Sequence, residues 1–175
     1  MGWLTYNRPK GETDRDHFQA KMSPGYRIVE CATVNSVFYA AVRDNDGEVS
    51  AFVALIHRAP NSYYNFGYKD MDENMGPGAC EAPARVLDAL TPTEHPYAVE
   101  WRKQCRDTIA RKAKAKAVKP GTYVELDRPV TFSNGQSVSR FQRCSERGQW
   151  QAVTEAGWRF RCRLNINRYD WTVAS

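Results

Sequence analysis

The sequence predicts an α+β fold: an N-terminal antiparallel sheet with packed helices, a long basic helix, and a C-terminal small SH3-like β-barrel or curled sheet. Three observations carry this. The run "YRIVECATVNSVFYAAVRDNDGEVSAFVALIHR" (26–58) is dominated by residues that fit a pleated surface. Within a cation-rich stretch, positions 97, 101, 105 and 109 are apolar at a helical spacing. Beyond Gly121, short β-forming runs alternate with turn signals at regular intervals. A chain of 175 residues has room for one ordinary domain and a small module. The boundaries fall at 1–93 for the α+β domain, 94–119 for the basic helix and connector, and 120–175 for the barrel module.

In chain order, Thr13 caps a helix through "DRDHFQAKM", and "SPG" (23–25) ends it. The long β-rich run is cut by "DNDG" (44–47), a hairpin signal, giving about three antiparallel strands, with "SYYNFGY" as a candidate fourth. "EAPARVLDAL" reads as a short helix with Pro83 in its first turn, where a missing N–H costs little. "TPT" (91–93) punctuates the chain, and Thr93 caps a helix over 94–118 that buries Tyr97, Trp101, Cys105 and Ile109. After it, "DRP", "SNG", "ERG" and "EAG" mark turns between five or six short strands. Along 159–164, Phe160, Cys162 and Leu164 alternate with Arg159, Arg161 and Arg163, so the period of two sends the apolar set inward and three arginines outward.

Composition excludes several classes. Hydrophobic content of 42% and charged content of 26% are globular values. No run approaches a membrane span, and "MGWLTYNRPK" lacks the pattern of a secretory signal, so the expected setting is the cytoplasm with no membrane partner. Five cysteines, an odd number without a Cys-x-x-Cys pair, argue against a disulfide scaffold or zinc ribbon. They read as small buried residues, with Cys144 and Cys162 facing each other on neighbouring strands as reduced thiols. There is no phosphate-binding Walker loop, dinucleotide fingerprint, G-x-S-x-G or H-E-x-x-H, and no cofactor is expected.

The net charge of +5 is unevenly spread. Residues 1–100 hold 9 Lys and Arg against 14 Asp and Glu, residues 101–120 hold 8 against 1, and residues 121–175 hold 8 against 5. Phosphate binding needs clustered cations that release counterions from a polyanion. The candidate nucleic-acid contacts are therefore Arg102, Lys103, Arg106, Arg111, Lys112, Lys114 and Lys116 on the helix, and Arg159, Arg161 and Arg163 on the C-terminal strand. Exposed Trp150, Trp158 and Trp171 would stack on bases. The bland alternative is a solvated helix face whose charge offsets the acidic N-terminal half.

The loop "FGYKDMDENMGPG" (66–78) is the candidate for enzymatic or cation chemistry. Asp70, Asp72 and Glu73 are clustered oxygen donors. Counted from Asp70, Asp72 and Asn74 fit a calcium-loop pattern and Glu81 stands twelfth, but Met75 occupies the glycine position, and no metal site is assigned. The loop's glycines, with Met71 and Met75 tucked on the core, give the structural alternative. Cys80, before a helix start, and His57, at the end of a strand, form a second candidate pair if folding brings them together.

The run "YNFGYKDMDENMGP", followed by "CEAPARVLDALTPT" and "EWRKQCR", resembles an uncharacterised family of phage, prophage and plasmid proteins. "MGWLTY", "YAAV" and the final Trp-x-Val are also similar, so the resemblance spans most of the chain. It implies an accessory gene of mobile DNA and no particular activity. The functional expectation is a non-enzymatic protein that binds nucleic acid or a host nucleoprotein complex, inhibiting a host defence system of the CRISPR or restriction type. The alternative is a small hydrolase or metal-dependent enzyme using Cys80, His57, Asp70 and Asp72.

Overall fold

The computed structural model describes residues 3–59, 63–75, 79–145 and 148–174. It corrects the expected fold class. The chain is mostly β, with ten strands in two five-stranded antiparallel sheets and three α-helices among the described residues. Residues up to Ile109 form one compact unit and those from Ala110 form another.

In the first unit, β1 (Leu4–Tyr6), β2 (Arg27–Val34), β3 (Val37–Arg43), β4 (Val49–Arg58) and β5 (Phe66–Asp72) assemble in the order β1-β5-β4-β3-β2. The alternating pattern divides the apolar side chains between two faces. Val49, Ala51 and Val53 of β4 share a core with Val86 and Leu87 of α2 (Ala84–Asp88) and with Trp101 and Cys105 of α3 (Pro96–Ala117). Ala54 and Ile56 share the opposite core with Phe18 of α1 (Asp14–Lys21). Thr13 caps α1 reciprocally with Asp16, as the Thr-x-x-Asp spacing allows. The "DNDG" hairpin closes with Gly47 at φ 90. Between β2 and β3 the turn falls on Asn35 and Ser36, both at positive φ, a geometry asparagine tolerates better than most residues.

Two details of the first unit differ from expectation. Tyr97 is 60% exposed, and Ala98 takes its place in the core with Trp101 and Cys105. Gly67 is not a turn glycine. It sits inside β5, paired with His57 and Thr5, where an added Cβ would touch Thr5 and Trp3 at ordinary distances. Gly76 and Gly78 lie outside the described residues, as does the "ERG" turn at Glu146 and Arg147.

In the second unit, β6 (Tyr123–Thr131), β7 (Ser137–Arg143), β8 (Trp150–Val153), β9 (Arg159–Cys162) and β10 (Trp171–Ala174) form an open sheet in the order β10-β6-β7-β8-β9. It is not a closed barrel. β9 and β10 remain at opposite edges, and the apolar face is covered instead by Ala115 and Val118 at the end of α3 and by Ile166. That cover removes the hydrophobic drive to close the sheet on itself. "DRP" is not a turn, because Asp127 continues the ladder by donating its N–H to Asp170 (2.8 Å). Leu126 to Pro129 bulge opposite Ser139, a place where proline's missing donor is tolerated.

Candidate nucleic-acid interface

The acidic loop resolves into separate local contacts. Asp72 accepts from the Asn74 N–H (2.7 Å), and Glu81 accepts from the Asn35 amide (2.7 Å). Glu73 is only 3% exposed and holds Arg102 in a two-pronged ion pair, Nε and Nη2 each at 2.6 Å, while accepting from the Ala51 N–H. No group of three His, Cys, Asp or Glu converges as a metal site among the described residues. Met71 packs against the core, as the structural alternative requires.

Cys80 and His57 have separate surroundings. The Cys80 thiol donates to Gln104 Oε1 (3.2 Å), and burial pushes its pKa up, against the nucleophile reading. Its neighbour Cys105 is pushed up to about 12, also chiefly by burial. His57 is exposed, edge-on to Trp3 at 6.2 Å, and lines a cavity of about 390 Å3 with Thr5, Tyr64 and Gly67. Cys144 and Cys162 are not on neighbouring strands, because β8 lies between the end of β7 and β9. All five cysteines are unbridged thiols.

The helix cations divide by position. Arg102 is committed to Glu73 and also donates to the Thr91 carbonyl (2.6 Å), which takes it out of any surface. Arg106 meets Asp88 at 3.1 Å in an exposed pair, and Lys103 is exposed. In the second unit, Arg111, Lys112, Lys114 and Lys116 are exposed at the end of α3. The Lys114 ammonium lies 4.1 Å from the Trp171 ring centroid and donates to the Trp171 carbonyl, so this lysine anchors the helix to β10.

Arg159, Arg161 and Arg163 are exposed, while Phe160, Cys162 and Leu164 turn toward the core. Arg159 reaches across the sheet, donating to the Tyr123 hydroxyl (2.7 Å) and to Gln142 Oε1 (3.2 Å). Its guanidinium carbon and that of Arg140 lie 5.8 and 5.0 Å from the Tyr123 ring centroid. Trp158 is 74% exposed, whereas Trp150 and Trp171 are buried and cannot stack on bases. Tyr123 and Arg140 escape sequence reasoning because their meeting depends on β6–β7 register. A signal existed only in the polar–apolar alternation around Val124 and Phe141.

Arg143 is the other residue that the sequence conceals. It is 4% exposed, and its guanidinium donates to the Ala115, Lys116, Val118 and Ser145 carbonyls. A side chain from β7 thus caps the carbonyl end of α3, where the helix dipole favours a cation.

The first unit holds one further charged cluster. Asp14 accepts from Arg8, Arg58 and Thr33. Burial would raise its pKa, but these hydrogen bonds outweigh it and hold the carboxyl below its usual 3.8. His17 is 5% exposed among Tyr6, Phe18, Phe66 and Tyr68, with Nδ1 3.1 Å from Glu12 and Nε2 lacking a hydrogen-bond partner among the described residues. Burial lowers its pKa below 6.5 despite Glu12.

Among the described residues no helix is long and apolar enough to cross a membrane. No curated protein and no solved structure matches the chain. Residues 92–166, from the approach to α3 through the turn after β9, match the model of a domain of unknown function, DUF6927.

Proposed function

We propose that the chain is a non-enzymatic accessory protein of a mobile genetic element that binds nucleic acid, free or within a host nucleoprotein complex, through its second unit. One observation carries the reading. From Ala110 onward the unit holds thirteen Lys and Arg against five Asp and Glu. Its exposed cations gather at the end of α3 and along β9, with Arg128, Arg140 and Arg168 exposed elsewhere in the unit. A small unit so unbalanced repels itself unless counterions or a polyanion neutralise it. Phosphate contacts at these cations fit that requirement without any catalytic group. The resemblance to proteins of mobile DNA supports a role against a host defence complex, where occupying a nucleic-acid site is sufficient for inhibition.

The test is a salt series on the full chain with a labelled oligonucleotide. Affinity falls steeply with salt, the log–log slope lessening by about 0.7 to 0.9 for each phosphate contact removed. Lys112→Glu with Lys116→Glu weakens binding further. Salt-independent binding, or binding unchanged by both substitutions, refutes the reading.

A further inference from the structure

We infer that the outer face of the second unit's sheet takes single-stranded rather than duplex nucleic acid, with bases stacked on Tyr123 and the guanidinium planes of Arg140 and Arg159. The inference rests on the phosphate-binding reading above and narrows its ligand to one class. Arg159 is held across the sheet by its bonds to Tyr123 and Gln142. With guanidinium carbons 5.0 and 5.8 Å from its centroid, the Tyr123 ring forms a cluster of three π systems on which any base can stack. Gln151, in register with Gln142 on one side and Arg161 on the other, sets an amide on the same face within reach of base edges.

Beside Arg140, the β6 bulge opens a cavity of about 640 Å3 lined by Glu125, Ser139, Thr154 and Glu155. Its carboxylates repel phosphate but accept from base N–H groups, including the N3–H of thymine and uracil, so it suits a base edge and not a backbone. A duplex hides its base faces and is read by elements that enter a groove. This open face has none, since the end of α3 covers the opposite, apolar side of the same sheet.

The test measures fluorescence anisotropy of the full chain with labelled oligothymidylate, oligouridylate and a duplex of equal length. Either single strand binds roughly tenfold or more tightly than the duplex, and Tyr123→Leu removes about tenfold of that affinity. Tyr123→Phe keeps the ring and stays within about threefold. Circular dichroism of both variants matches the parent. Equal binding of duplex, equal binding of heparin, or no effect of Tyr123→Leu while Lys112→Glu with Lys116→Glu weakens binding overturns the inference and leaves the phosphate-binding reading standing. Failure of all three oligonucleotides to bind at low salt overturns both.

Discussion

Glu73→Ala tests whether the acidic loop is structural. In the parent, the Glu73 carboxylate is 3% exposed and accepts two bonds from Arg102 and one from the Ala51 N–H. Alanine leaves the largely buried guanidinium its bond to the Thr91 carbonyl but no carboxylate, and strips the Ala51 N–H of its acceptor. Breaking one partner of a buried pair costs about 3–5 kcal/mol, because the remaining charge stays desolvated. With a urea dependence of about 2 kcal/mol per molar, the midpoint of the first unit falls by roughly 1.5–2.5 M. Urea unfolding followed by circular dichroism gives the midpoint, and hydrogen exchange in β4 assigns it to the first unit. Replacing both partners, Glu73→Met with Arg102→Met, restores much of the loss, since no charge is left uncompensated. A loss under about 1 kcal/mol for Glu73→Ala, or rescue by a divalent cation, refutes the structural reading.

Three further outcomes are expected. Arg143→Met unties three carbonyls at the end of α3 and that of Ser145, and lowers the stability of the second unit by about 2–5 kcal/mol, measured by thermal melting; Arg143→Lys does not restore it, having no planar fork. The His17 pKa is depressed on folding, so its contribution is complete above about 6.5 and is lost as pH falls through the lower folded value, where the unfolded chain binds the extra proton. Urea midpoints at about pH 7.5 and about pH 5.5 check the slope, which His17→Phe flattens, and a parent midpoint that does not move refutes the assignment. Under iodoacetamide at about pH 8, exposed Cys144 is alkylated roughly tenfold or more faster than Cys80 and Cys105, read by peptide mass spectrometry, and faster labelling of Cys80 would revive a nucleophile there.

The legible parts of this fold were those governed by local chemistry. The Thr13 cap, the "DNDG" hairpin and the alternation of Arg159 to Leu164 depend on neighbours within a few residues, and each appears as written. What failed depends on distant partners. "DRP" looks like a turn until β10 arrives to extend its ladder, and a helix end rather than a strand covers the second sheet. The same limit applied to the site. Charge spacing located cations but could not show that Arg102 is spent on Glu73, or that Lys114 grips Trp171. Tyr123, Arg140 and Arg159 lie up to 36 positions apart and meet only through register.

The cap supplied by Arg143 also has a kinetic meaning. The tail of α3 carries Arg111, Lys112, Lys114 and Lys116, a dense row of trypsin sites in a segment whose like charges disfavour an isolated helix. Its last turn is completed by a strand more than twenty residues downstream. Cleavage within this row therefore reports on whether β7 has docked, and the segment is vulnerable to proteolysis during synthesis until the sheet has formed.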